Sequence, residues 1–330
     1  MSVSTSPTPK FIDLFESRLH SLLEGTPAEQ RGSKLLLEAS RHLATAGAAK
    51  RMRPLLVDHF GEAVDLPSGV RLAIATAAEL IHTASLLHDD VVDNGTERRG
   101  RPTVNAQWYN SVAVLGGDLL LCFSLEQLSE LPRPVTATAV ELVAEMTRAA
   151  MEEVQVRRAR RWALDDWKRV AHGKTGALLG WCGTAPALCV DQPVLAKRFA
   201  QCGHHLGLAF QLTDDLCELL GLQRGKDAYA DLRNANPSYP VALARSNSPH
   251  IRSALDEMWD QGLASDAQLQ QMAARIIDSG AANMTLERIE DHIDNALQAL
   301  GDFAERPGGA HIAQWANQLR QMASEATEEL

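Results

Sequence analysis

Asp89, Asp90 and Asp93 stand at i, i+1 and i+4, at the end of an apolar run that begins at Leu80. A helix turns about 100° per residue, so Asp89 and Asp93 share one face with Asp90 beside them. Asp214, Asp215 and Glu218 repeat the spacing after a second apolar run, LGLAF. Carboxylates packed this closely repel one another unless a cation lies between them. Arg98 and Arg99 follow the first cluster and Lys226 the second. Guanidinium forks beside hard oxygen donors suit Mg²⁺ bridging to a diphosphate. A solvated helix end with surface acids would account for one such cluster, but less well for two. The expectation is two carboxylate clamps facing each other across a cavity.

Other residues fit the same chemistry. Lys50 and Arg53 lie one helical turn apart, and His82 lies two turns before Asp89. The pair also reads as an exposed basic patch, and His82 as a hydrogen-bonded core histidine. Lys174–Thr175 sits mid-helix in the small, apolar stretch GKTGALLG, where an ammonium needs a partner. Thr175 can bond its own helix or steer a proton loss. Gln211 can orient a substrate or satisfy backbone groups.

The elements that must carry these residues are helices. Apolar residues recur at three- and four-residue spacings from Phe11 onward, and strand-type alternation is hard to find. Breaks are expected at 25–27, 65–69, 95–102, 131–134, 191–193, 234–240 and 246–249, with Asp165 as a helix N-cap. Residues 1–9 are Ser/Thr/Pro-rich and read as a disordered tail; 10–330 read as a single all-α domain. A net charge of −10 argues against nucleic acid and against anionic lipid as partners. Five cysteines without CxxC spacing read as reduced core thiols of a cytoplasmic protein. No signal peptide and no uninterrupted apolar run of membrane-spanning length is apparent.

Further motifs identify a resemblance. DDVVD (89–93) and DDLCE (214–218) resemble the aspartate-rich pair of the trans-isoprenyl diphosphate synthases, the polyprenyl synthetase family. AAKRMRP (48–54), ERRGRPTVN (97–105), GGDLLL (116–121), KTGALL (174–179) and LGLAFQLTDD (206–215) match other family motifs in the same order. The resemblance implies an isoprenoid-synthase-type helical bundle around a central cavity, acting as a homodimer. It implies condensation of isopentenyl diphosphate with an allylic diphosphate through Mg²⁺-assisted ionisation, then proton elimination.

By that resemblance Asp89, Asp90, Asp93, Asp214, Asp215 and Glu218 hold the metal, and Asp89, Asp90, Lys174, Asp214 and Gln211 carry catalysis. Arg98, Lys174 and Lys226 bind the allylic diphosphate; Lys50, Arg53, His82 and Arg99 bind that of isopentenyl diphosphate. Thr175 and Gln211 complete the substrate set. Product length is assigned to Ala84 and Ser85, one turn below Asp89, where a bulky aromatic stops elongation in the family. Both are small here, so a long chain is expected, unless Phe123 or Met151 forms the floor.

Three departures stand out: Glu218 for the last aspartate, Met151 for the glycine of GExxQ, and DLRNANPSYP (231–240), where Asn236 replaces a lysine. The last suggests a flexible, less basic lid. Two other readings stay open. One is a non-catalytic or regulatory subunit of a heteromeric synthase. The other is a class I terpene cyclase, which 5% aromatic content disfavours.

Overall fold

The structure is a computed structural model that describes residues 9–24, 34–45, 51–98, 100–159, 162–222, 229–262 and 264–327. The helices are α1 (Pro9–Glu24), α2 (Lys34–Ala44), α3 (Met52–Ala63), α4 (Ser68–Val92), α5 (Val104–Gln107), α6 (Asn110–Leu128), α7 (Arg133–Ala159) and α8 (Leu164–Ala171). After a π-helical turn at His172–Gly176 come α9 (Ala177–Cys189), α10 (Pro193–Leu219), α11 (Ala230–Asn234), α12 (Tyr239–Asn247), α13 (Pro249–Gln261) and α14 (Asp266–Asp278). The chain ends in α15 (Ala281–Leu300), a 3₁₀ turn at Gly301–Glu305, and α16 (Pro307–Thr327). The all-α expectation therefore holds. The exception is a two-residue hairpin, β1 (Glu97–Arg98) with β2 (Arg101–Pro102), registered Glu97 to Pro102 and Arg98 to Arg101. It is too short to leave an alternating pattern in the sequence.

Contacts group into two compact units: Met1–Val143 with Leu178–Ala200 and Leu300–Ile312, and Ala144–Ala177 with Gln201–Ala299 and Ala313–Leu330. The first unit is built on α4. Residues Ala73–Ile81, Thr83, Ala84 and Leu87 of that helix are buried, packed chiefly against α6 and α3. The close approach of α6 depends on glycine. A Cβ at Gly117 would lie 2.2 Å from His88 Nε2, so that ring would have to shift, whereas one at Gly116 would meet its neighbours at ordinary contact distance. A buried arginine ties α1 to α4: Arg51 donates to Glu16 Oε1 at 2.6 Å and to Glu79 Oε1 at 2.7 Å.

Several of the expected breaks are left-handed stops. Asp65, Asn94 and Asp191 have φ of 55°, 53° and 54°, a region that Asn and Asp enter more readily than most residues. The N-cap expectation at Asp165 is corrected. Asp166 Oδ2 accepts the Ala163 amide at 2.7 Å, and Asp165 pairs with Lys168 instead.

No uninterrupted apolar run of membrane-spanning length occurs in the chain, although two helices are apolar on average. Helices α4 and α6 are long and apolar enough to cross a membrane by length and hydropathy. The α4 window is 67% buried, as a core helix requires, and the α6 window 44%. Cys182 and Cys202 are buried thiols, but Cys122 is exposed and not a core thiol.

Candidate active site

The first acid cluster closes α4. Asp90 is buried at 3% exposure, Asp89 half-buried and Asp93 exposed at the helix end. Asp90 Oδ1 accepts both Nε and Nη2 of Arg98, at 2.9 and 2.7 Å. Its Oδ2 is buried without a hydrogen-bond partner. Burial pushes the Asp90 carboxyl up from the usual range; Arg98 opposes this, and Asp89 and Asp93 add to it.

The turn after α4 positions Arg98. Gly95 N donates to Asp90 O, while Thr103 Oγ1 and Asn105 Nδ2 both donate to Gly95 O, at 2.7 and 2.9 Å. Thr103 and Asn105 thus fasten the hairpin beneath the aspartates. Neither was read as a functional residue, although both belong to the RRGRPTVN motif.

Of the basic set, Arg53 opens α3 and His82 lies half-buried on α4. Lys50, Arg99 and Lys226 lie outside the described residues. Ala84 is fully buried, Phe123 is 4% exposed, and Ser85 is half-buried with its hydroxyl donating to His82 O at 2.8 Å. The structure therefore separates the neighbours Ala84 and Ser85. Met151 is 57% exposed.

The second cluster, in the other unit, is part of a hydrogen-bonded chain. Thr175 Oγ1 donates to Gln211 Oε1 at 3.0 Å, and Gln211 Nε2 donates to Asp215 Oδ1 at 2.9 Å. Asp215 Oδ2 accepts Trp167 Nε1 at 2.7 Å and the Tyr239 amide at 2.9 Å. Asp215 and Glu218 are buried and Asp214 is half-buried. Burial first, and then the neighbouring Asp231, hold the Asp215 and Glu218 carboxyls well above the usual carboxylate range. Thr175 and Gln211 bond each other, a contact that neither sequence alternative included.

Lys174 lies in the π-helical turn and not in regular helix, and its Nζ donates to Glu153 Oε2 at 2.6 Å. Glu153 belongs to MEEVQ, and its carboxylate is the partner the half-buried ammonium required. Inserted π turns collect at functional positions.

The expectation of a flexible lid at 231–240 is corrected. The Asp231 amide donates to Glu218 Oε1 at 2.9 Å and Asn236 Nδ2 donates to Asp231 Oδ1 at 3.2 Å. Trp162 Nε1 donates to Ala235 O and Trp259 Nε1 to Leu232 O. Leu232, Ala235, Ser238 and Tyr239 are all buried. An indole N–H carries its own hydrophobic anchor, so these two bonds pin the segment from within.

Comparison with known proteins follows from this geometry. The family model described as polyprenyl synthetase matches residues 33–276. A heptaprenyl diphosphate synthase component 2 from Geobacillus stearothermophilus is 34% identical over 271 residues, covering 80% of this chain and 82% of that protein. The octaprenyl diphosphate synthase of Escherichia coli is 30% identical over 298 residues, covering 84% and 89%. A polyprenyl synthase from Caulobacter crescentus, solved with calcium and isoprenyl diphosphate, aligns with a TM-score of 0.79 at 26% identity, covering 98% of both chains.

Proposed function

Because the chain belongs to the polyprenyl synthetase family and is a trans-prenyltransferase, we propose that it joins isopentenyl diphosphate to an allylic diphosphate. The allylic C–O bond breaks and inorganic diphosphate departs. The isopentenyl double bond attacks the resulting cation, and a proton is lost to regenerate an alkene one isoprene unit further along. Repetition gives a trans-polyprenyl diphosphate. Residues 10–330 act as one functional domain, a reading supported by a family match that runs through both units.

The observation that carries the reading is Asp90. A dry carboxylate oxygen without a donor, flanked by two more carboxylates and an arginine, is suited to a divalent cation and a phosphate. The donor set is all oxygen, as Mg²⁺ requires. Asp89, Asp90 and Asp93 would hold it at the first cluster. At the second, Asp214 and Glu218 would do so, with Asp215 bracing them through oxygens that already accept three hydrogen bonds. Mg²⁺ bound there supplies neutralisation of the charge that develops on the departing diphosphate.

The chain's own groups do the rest. Arg98 offers its fork to the allylic diphosphate in exchange with Asp90, and Lys174 does so in exchange with Glu153. Lys226 is assigned to the same diphosphate, and Lys50, Arg53, His82 and Arg99 to that of isopentenyl diphosphate. Gln211, locked between Thr175 and Asp215, keeps its amide in one orientation toward the substrate. Small side chains at Ala84 and Ser85 favour a long product.

We place the enzyme in the cytoplasm, where reduced thiols such as those of Cys182 and Cys202 are stable. A homodimer is supported by Val114, Leu115 and Leu125, exposed on α6. One observation favours a second reading, in which a partner subunit completes the activity: the Geobacillus relative is named as a component of a synthase.

The test is a product assay. The purified protein is incubated with Mg²⁺, labelled isopentenyl diphosphate and, in turn, dimethylallyl, geranyl, farnesyl or geranylgeranyl diphosphate. A defined polyprenol ladder after dephosphorylation supports the synthase and reads its length. A folded homodimer that incorporates nothing from any primer overturns it. Native mass spectrometry on the same sample separates homodimer from lone subunit.

A further inference from the structure

Outside both acid clusters, the first unit brings together three metal-ligating side chains that the prenyl-transfer chemistry does not use. His59 and Glu62 stand at i and i+3 on α3, on one face of the helix. His311 comes from the start of α16, far along the chain. One ligand atom from each lies within 4.8 Å of the others. The two imidazole rings are 4.7 Å apart between centroids, and His311 Nδ1 is 3.8 Å from Glu62 Oε2. We propose that His59, Glu62 and His311 form a binding site for a zinc-class divalent ion that fastens α16 to α3, separate from the Mg²⁺ chemistry.

Three features of the site support this. First, His59 Nδ1 and His311 Nδ1 are both buried and have no hydrogen-bond partner. Buried polar atoms nearly always have partners, so two orphaned imidazole nitrogens side by side need an explanation, and a shared ion supplies one. Second, the donor set selects the ion. Two imidazoles and one carboxylate suit Zn²⁺ and its first-row neighbours, whereas Mg²⁺ takes oxygen ligands. Such a three-ligand set leaves a fourth position for water, in keeping with side chains that are only partly buried.

Third, the two helices are already held at the required separation by other contacts. A Cβ at Gly308 would lie 2.1 Å from His59 O and 2.8 Å from Ala63 N, so α16 can approach α3 this closely only because glycine stands there. Arg306 Nη1 donates to Ala63 O at 2.9 Å on the same contact. Tetrahedral ligands about 2.0–2.1 Å from Zn²⁺ sit roughly 3.3 Å from one another. The side chains therefore need to converge by at most about 1.5 Å, which rotation about their own bonds provides.

The test uses the full chain, stripped of metal and then held in excess Mg²⁺ so that the carboxylate clusters are occupied by their own ion. Zn²⁺ binding is measured by competition with a chromophoric chelator, together with the thermal midpoint. The expected result is one Zn²⁺ per chain and a raised midpoint. His311→Gln and Glu62→Gln should weaken binding by more than the roughly 10–100-fold that loss of an outer-shell partner costs. Both should remove the zinc-induced rise in midpoint while leaving prenyl transfer in Mg²⁺ unchanged. Unaltered zinc affinity in His311→Gln, or no zinc retained by the wild-type chain in excess Mg²⁺, overturns the proposal. Should a variant fail to fold, Co²⁺ substitution of the wild-type chain decides: the visible bands of four-coordinate cobalt with nitrogen ligands support the site, and their absence overturns it.

Discussion

Asp90 keeps one oxygen on the Arg98 fork and the other dry and without a donor. Asp90→Asn keeps the shape and removes the charge. The expected outcome is a kcat lower by about 10²–10³-fold, the scale on which loss of one preorganised electrostatic contact is felt, with a circular dichroism spectrum unchanged. A steady-state assay in saturating Mg²⁺ checks it; an activity within a factor of a few of wild type would remove Asp90 from the chemistry. The type and spacing of the acids were legible in the sequence, because helical periodicity places i and i+4 together whatever surrounds them. Glu153 was not, since its role as partner of Lys174 arises only where α7 meets the π turn. Trp167 was equally hidden: nothing local to an indole says that its N–H ends on Asp215.

At the scale of elements, α4 couples the acids to the region below them. Ala84 is fully buried while Ser85 is half-buried, so the two adjacent small residues do different work. Ser85→Phe is expected to shorten the polyprenol ladder with little loss of stability. Ala84→Phe should shorten it as well, but at an overpacking cost of about 1–3 kcal/mol visible in denaturant titration. An unchanged product distribution in both would take this turn of α4 out of the pocket wall. Glycine-dependent packing makes a sharper stability prediction. A Cβ at Gly183 on α9 would sit 2.5 Å from the backbone oxygen of Phe199 on α10. Backbone cannot swing aside, so Gly183→Ala should destabilise by about 1–3 kcal/mol despite the better helix propensity of alanine. A raised or unchanged thermal midpoint would contradict that reading. The segment 229–240 shows how an element-scale expectation fails: lysine-poor composition suggested looseness, but two indole hydrogen bonds and four buried side chains decide its order.

At the scale of the whole molecule, half-buried histidines and buried carboxyls pull the response to acid in opposite directions. Burial first, and then neighbouring imidazoles, push His204 down to about 4 and His292 to about 3, and His59 is held at about 3. In an unfolded chain each titrates near 6.5. Between about 6.5 and 4 the unfolded chain therefore binds more protons, so the contribution of these groups is complete above pH 6.5 and is lost as pH falls toward 4. Asp58 acts in the opposite sense. Burial raises it to about 6, so its contribution declines as pH rises from about 3.8 to 6; Asp215 and Glu218, also raised by burial, act in the same sense, so these carboxyls oppose the histidines. The difference in denaturant midpoint between His204→Gln and wild type should move in the variant's favour from pH 7.5 to pH 5, because the variant lacks one lowered imidazole; a difference that does not change with pH would contradict it. Association belongs to this scale too. Leu115→Asp on the exposed face of α6 is expected to shift a homodimer toward monomer in native mass spectrometry.

From its sequence alone this protein's helical class, its breaks and its two acid clusters can be read, because these depend on side-chain chemistry and on a period of 3.6 residues. The left-handed stops at Asp65, Asn94 and Asp191 belong to the same local physics. Tertiary structure alone decided which carboxylate oxygen is dry, which cation already has a partner, and that His311 meets His59 and Glu62 across most of the chain. Burial and pairing are properties of surfaces brought together by distant segments, and no window of sequence contains both sides of such a contact.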